Sequence, residues 1–541
     1  MSAVRGGEAD VAVRNSGSPP HGGPGPDSSS SSPPGNRFWR CARWLRNRAA
    51  SGAVREPPNF FLSRRLFLRL LGIVYLAAFL SLWVQIDGLI GSHGVLPVEQ
   101  YLEAVRESTG REGLYLAPTL CWLDSSDQFL HRLCAGGLVL SALLIVGVAP
   151  APVLFLLWAF YLSLTVAGQE FLGFQWDTLL IETGFLAIFL APPQLWPRLA
   201  REAPPSRLVL WLFRWLLFRL VFGSGVVKLL SGDATWRHLT SLRYHYETQP
   251  LPTWTSWYVH QLPGWLQGLS VLLTFAAELV VPLGIFGPRR WRLVAAGGIV
   301  GLQLLIAATG NYGFFNLLTV ALCVPLLDDS CFPARWRARL VPATGAAAPP
   351  RRRGWPSWLL VPLAVAVLVL SVMPYLYQRG MVAHGPRWVV RAYGAAASFH
   401  TVNTYGLFAV MTTRRHEIIV EGSNDGRSWL PYEFRRKPGD VTRRPTFTGL
   451  HMPRLDWQMW FAALGDYRRN PWFFHFLGRL LEGSPEVLAL LERNPFPDGP
   501  PRYIRAVLYD YHFSSPGGRG WWRRRLLGLY CPIVSRPSAK K

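Results

Sequence analysis

The chain has 541 residues, 50% hydrophobic and only 16% charged, with 24 tryptophans and a formal net charge of +24. This balance excludes an ordinary soluble enzyme and describes a polytopic membrane protein with soluble parts attached. The excess positive charge gathers between apolar runs and no nucleic-acid motif accompanies it, so no nucleic acid is expected as a partner.

Residues 1–36 are rich in Gly, Pro and Ser and lack the early apolar core of a cleaved signal peptide. Arg37, Arg40, Arg43, Arg46, Arg48, Arg64 and Arg65 then crowd before the first apolar run, at 66–84. Residues 1–60 therefore read as a disordered, basic, cytosolic region, and the run as a signal anchor. Further apolar runs follow at 135–149, 152–168, 174–191, 208–230, 264–286, 292–309, 312–327 and 357–377, making about nine spans. Residues 61–378 thus read as a multi-pass helical membrane domain. With the N-terminus in the cytosol, the cytosolic connections hold Arg198, Arg201 and Arg207, then Arg289 and Arg290, then Arg335, Arg337, Arg339 and Arg351 to Arg353. That is the asymmetry the positive-inside rule requires. An odd count places everything after Tyr377 in the lumen.

In the tail the pattern changes. "HEIIVEGSNDGRSWLPYEF" predicts strand, tight turn at Asp425-Gly426, strand. "RLDWQMWFAALGDY" and "PWFFHFLGRLLEGSPEVLALLERNP" predict two helices, the second stopped by Pro495. "YIRAVLYDYHFS" alternates like a strand. Residues 379–535 read as a β-rich lumenal domain, a β-sandwich with helical insertions, and 536–541 as a short tail.

Asp177 and Glu182 lie within an apolar run, where an unpaired carboxylate is expensive. Five residues apart on a helix, they point about 140° apart and differ in depth by about 7.5 Å, so they do not form an acid dyad. Buried charges persist when paired. Arg214, Arg219 and Lys228 in the next span, and Glu278 in the one after, supply partners. Depth matching pairs Asp177 with Lys228, Glu182 with Arg219, and Arg214 with Glu278. A structural charge network and a functional polar site both remain open here.

"LRYHYETQPLP" places His245, Tyr246 and Glu247 in a polar, aromatic lumenal loop. His238 and His245 lack a third ligand, so no metal is expected. Trp457, Trp460, Phe461, Trp472, Phe473 and Phe474 form the densest aromatic cluster of the tail. They read either as core or as an exposed patch, with Trp457, Trp460, Trp472 and Phe473 the candidate client surface. Cys121 and Cys134 fall near the lumenal side, where a disulfide between them is possible. There is no GxSxG elbow; no catalytic residue and no cofactor are assigned.

"FQWDTLLIETGFLAIFLAP", "RWLLFRLVFGSGVVKL", "YHYETQPLP", "TGNYGFFNLLT", "RLDWQMWFAALG" and "NPF", in that order, resemble the lipase maturation factor family, closer to its second paralogue type. The resemblance covers residues 60 to 530. It implies a multi-pass protein of the endoplasmic reticulum membrane, not an enzyme. Such a protein would touch membrane lipid and help secretory clients, dimeric secreted lipases such as lipoprotein lipase, reach their active fold. "GSGVVKLLSGDATW" also resembles a stretch of the vitamin K-dependent γ-carboxylase membrane domain. That likeness implies an alternative, a membrane-embedded enzyme with a polar site around Lys228.

Overall fold

The computed structural model describes residues 59–197, 202–340, 354–378 and 387–536. Residues 1–58, most of the region expected to be disordered, lie outside these, as do residues 537–541 of the expected tail. So do Arg198, Arg201 and Arg351 to Arg353 of two connections.

The apolar runs fold as helices α1 (Phe61–Trp83), α2 (Asp127–Val146), α3 (Pro150–Ala167), α4 (Gln175–Leu190) and α5 (Arg207–Leu230). After them come α6 (Ser241–Thr248), α7 (Gly264–Phe275), α8 (Arg289–Thr309), α9 (Phe315–Cys323) and α10 (Ser357–Gln378). Local chemistry sets their ends. The Ser126 hydroxyl accepts from the Phe129 amide at the start of α2, and Gly147, at φ +97°, ends it. Pro150 opens α3, where its missing N–H costs nothing. After α7 the helix widens into a π turn at Ala276–Val280 and tightens into a 3₁₀ turn at Val281–Phe286, around Pro282.

Six segments among the described residues are long and apolar enough to cross a membrane: α1, α2, α3, α5, α8 and Gly264–Phe286. The other three apolar runs give shorter or less regular helices for visible reasons. Helix α4 has 16 residues, carries two acids and stops before Pro192. Helix α9 passes into a 3₁₀ turn at Pro325. Helix α10 qualifies only as a shorter apolar helix, over Ser357–Met373.

The C-terminal part contains an antiparallel sheet of order β2-β1-β5-β6 and a two-stranded ladder β3-β4, with β1 (Arg415–Ser423), β2 (Leu430–Pro431), β3 (Glu433–Phe434), β4 (Leu491–Arg493), β5 (Tyr503–Phe513) and β6 (Trp522–Ser535). Strand β1 pairs with β5 along its whole length, from Arg415 opposite Tyr511 to Ser423 opposite Tyr503. The turn after β1 forms as expected: the Asp425 carboxylate accepts from the Arg427 and Ser428 amides, both at 2.8 Å, and Gly426 takes φ +71°. The expected sandwich needs correcting. Among the described residues the four-stranded sheet packs against helices α11 (Arg454–Ala463) and α12 (Pro471–Glu482), not against a second sheet of similar size. Helix α12 also ends well before Pro495. Gly483 adopts the left-handed conformation, Ser484 caps a short turn at Pro485–Leu488, and β4 follows.

A single apolar cluster runs from Phe67 and Leu71 in α1, through Trp176 in α4, to Trp457 and Phe473 in α11 and α12 and Ile504 in β5. The sheet and the helices therefore share one core across the boundary that the sequence suggested near residue 378.

Candidate functional site

The side chains that join the two parts come from one face of the helix bundle. Glu182 lies mid-way along α4 and is fully buried. The Arg219 guanidinium on α5 donates to it, as do the Asn403 amide (3.0 Å), the Asn403 Nδ2 (3.0 Å) and the Tyr405 hydroxyl (2.7 Å). Arg219 also donates to the Asn403 carbonyl at 2.8 Å. The segment 403–405 thus drops into the bundle and completes the acid's shell.

Asp177 sits in the first turn of α4, where the helix dipole favours a carboxylate. It does not meet Lys228. Its two oxygens accept from Arg454 at 2.5 and 2.8 Å, and Oδ1 accepts from the Tyr161 hydroxyl at 2.5 Å. Arg454 opens α11 in the C-terminal part, is fully buried, and is held more firmly protonated by Asp177 than a free guanidinium would be. Lys228 instead reaches Glu278, at 2.7 and 2.8 Å. Helix α7's π turn brings that carboxylate to it. Arg214, expected against Glu278, stacks over the Trp211 ring at 5.4 Å.

The loop predicted around His245, Tyr246 and Glu247 is helix α6, and it seats the sheet. The Glu247 carboxylate accepts from the Phe513 amide at 2.7 Å and lies 2.9 Å from His512 Nδ1. Arg415, buried in β1, donates to the carbonyls of Glu247 (2.9 Å), Gln249 and Pro250 (2.9 Å), closing the C-terminal end of α6. The Trp460 indole donates to the Thr248 carbonyl at 2.9 Å. His245 lies 3.2 Å from the Tyr312 hydroxyl, and Tyr246 is buried.

Other contacts extend the seam. Ser81 and Gln85 at the end of α1 bond Met452 and Arg454. Asn311 donates to the Thr446 carbonyl and accepts from the Thr448 amide, each at 2.8 Å. Ser484 donates to the His93 carbonyl at 2.9 Å. With so many buried polar groups satisfied by partners on the other part, separating the two would strand charges in an apolar core.

Two expectations are corrected here. Trp457, Trp460, Trp472 and Phe473 are 3%, 6%, 2% and 0% exposed, so they are core and offer no surface to a client. Their rings pack on the bundle, Trp457 at 4.7 Å from Trp176 and Trp472 at 5.7 Å from Phe171. Cys121 and Cys134 are buried free thiols with no disulfide between them, and burial pushes the Cys121 thiol up to about 11. Among the described residues no cluster of His, Cys, Asp and Glu has the makings of a metal site.

Sequence reasoning missed Arg454, Arg415, Asn403 and Tyr405. It also missed β6, whose outward edge pairs with no strand among the described residues and whose Leu526, Leu527, Leu529 and Ile533 are exposed. The run Arg523–Arg525, Gly528 and Pro532 hide that strand from a pattern search. Arg454 carried one usable signal: a charged residue heading a helix otherwise packed with aromatics.

Helices long and apolar enough to cross a membrane, holding buried ion pairs and with a sheet keyed into them, define a polytopic membrane protein whose β-rich C-terminal part is built onto its bundle. Residues 62–334 match the family model of the lipase maturation factor transmembrane domain, and residues 401–532 that of the lipase maturation factor C-terminal domain. The chain is 38% identical to lipase maturation factor 2 of Homo sapiens over 589 residues, covering 88% of this chain and 83% of that protein. It is 38% identical to lipase maturation factor 1 of Bos taurus over 511 residues, covering 88% and 90%. No solved structure matches. The chain belongs to the lipase maturation factor family. The matched models lend the carboxylase-like alternative no support, and Lys228 is engaged by both oxygens of Glu278.

Proposed function

We propose that this protein is a non-enzymatic folding factor of the endoplasmic reticulum membrane that assists the maturation of secreted lipases, dimeric ones among them. The observation that carries the reading is the match of both a membrane and a C-terminal maturation-factor model within one continuous core. In this reading residues 61–378 cross the membrane about nine times, α4, α9 and α10 completing the set, and residues 379–535 lie in the lumen. Helix α4 supports the count: it starts at Arg454 and ends where the Trp355 indole donates to the Ala191 carbonyl, on the opposite face. That opposite face carries Arg64 and Arg65 against Glu202, and Arg289 against Asp328. This basic face supports a cytosolic N-terminus.

With the aromatic helices buried, the client surface moves to β6. Its open edge offers main-chain hydrogen bonds to an extended segment, and its exposed leucines offer apolar contact. Arginines 523 to 525 at one end keep the edge from pairing with copies of itself.

The test is the specific activity of a dimeric secreted lipase from cells lacking their own maturation factors. Supplying this chain is expected to raise active lipase several-fold. Leu527→Asp with Leu529→Asp is expected to remove most of that gain while the protein keeps its level and most of its thermal stability, because both side chains are about half exposed. No gain with the unaltered chain would overturn the reading; a gain untouched by the double change would overturn the assignment to β6.

A further inference from the structure

Between α5, α7, α8 and α9 lies a cavity of about 620 Å³, within the range of sites that take a drug-sized molecule (roughly 300–1,000 Å³). Helix α8 lines it with the face Gly298, Gly301, Leu302, Leu305, Ile306 and Thr309, a helical stripe. Leu273 and Leu305 line the cavity and are also 60% and 67% exposed on the bundle's apolar surface. The cavity therefore opens sideways, towards lipid. Gly301 stands at this mouth, exposed, where an added Cβ would meet nothing within 4 Å.

The wall is apolar except for a few groups, and these do not balance one another. Lys228 and Glu278 satisfy each other at 2.7 and 2.8 Å. Gln303 is 93% buried, yet among the described residues its Oε1 has no hydrogen-bond partner. It lies six residues, about 9 Å, along α8 from Thr309. The Nδ1 of His245 is likewise without a partner, while the other ring nitrogen lies 3.2 Å from the Tyr312 hydroxyl. A buried acceptor without a donor is costly, so the Gln303 oxygen calls for a donor from whatever fills the space.

We propose that this cavity binds a neutral, hydroxyl-bearing membrane lipid, which enters between α7 and α8 and donates its hydroxyl to Gln303. The charge balance selects neutrality. The ammonium of Lys228 is already neutralised by Glu278, and His245 is held uncharged, pushed down to about 4 by burial and by the Lys228 charge. An anionic head would find no free cation here, and a cationic one no free carboxylate.

Purified full-length protein in nanodiscs, labelled with photoactivatable neutral lipids, tests this. The probes are a sterol alcohol and a monoacylglycerol, each compared with its methyl ether, and a fatty acid. One hydroxylated probe is expected to label peptides of Gly264–Thr309, with its methyl ether and the fatty acid each labelling at least fivefold less. Which of the two succeeds identifies the source of the hydroxyl. Gly301→Phe should cut labelling about tenfold by blocking the mouth. Gln303→Leu should make the alcohol and its ether equivalent. Thermal unfolding of each variant separates lost binding from lost fold, and Gly301→Leu serves if the larger side chain disturbs it. Equal labelling by alcohol, ether and fatty acid, or labelling unchanged by a folded Gly301 variant, overturns the proposal.

Discussion

A carboxylate buried beside a guanidinium is tolerable only while both are present. Asp177→Asn leaves the Arg454 charge inside the core, and we expect a loss of about 3–5 kcal/mol. Asp177→Leu with Arg454→Met removes both charges and should recover most of that loss. Thermal unfolding in mild detergent checks the pair; a double variant no better than Asp177→Asn would refute it. His451 provides a pH test. Burial, then the charges of Arg436, Arg454 and Arg435, push its imidazole from 6.5 down to about 4. Between these values the unfolded chain takes up a proton that the folded chain refuses. The stabilising contribution is therefore complete above pH 6.5 and declines as pH falls towards 4. His451→Asn should flatten the fall in melting temperature across that window; parallel curves for variant and parent would contradict it. At this scale the sequence was half legible. Glu182 and Arg219 sit mid-way in adjacent antiparallel helices, so depth alone pairs them. Asp177 and Arg454 are 277 residues apart, and no periodicity connects an intramembrane acid to a helix in the tail. Lys228 was matched to the nearer depth, whereas the π turn at Glu278 delivered a carboxylate that regular helix geometry does not anticipate.

Helices were legible where apolar length was the only signal required, which covers the six long spans. The elements that went wrong are those whose identity depends on a neighbour. Helix α12 stops at Gly483 because one residue with φ +76° ends it, although the apolar pattern runs on. Strand β6 exists because β5 offers it a partner, despite an arginine run, a glycine and a proline that argue against a strand. The aromatic helices α11 and α12 show the same dependence from the other side. Their stripes are ambiguous between core and surface until the bundle is placed against them. Trp472→Ala should accordingly cost about 3–5 kcal/mol, as loss of a fully buried aromatic does. The C-terminal part should then become sensitive to protease, with lipase maturation falling only as protein level falls. A variant that stays protease-resistant and yet loses maturation would return Trp472 to the client surface.

For the whole molecule, the seam between bundle and sheet matters most. It contains the Asp177–Arg454 pair, the Glu182 cage, the Arg415 clamp on α6 and the edge-to-face contact of Trp176 with Trp457. None of these survives if the C-terminal part moves as a body on a tether. The direct measurement is to place a site for a specific protease between Gln378 and Arg387 of the full-length protein, cleave in mild detergent, and follow the two fragments by size exclusion. The fragments are expected to elute together, at low and high salt alike, and to separate when Asp177→Asn is introduced. Release of the C-terminal fragment from the unaltered protein on cleavage would contradict the account.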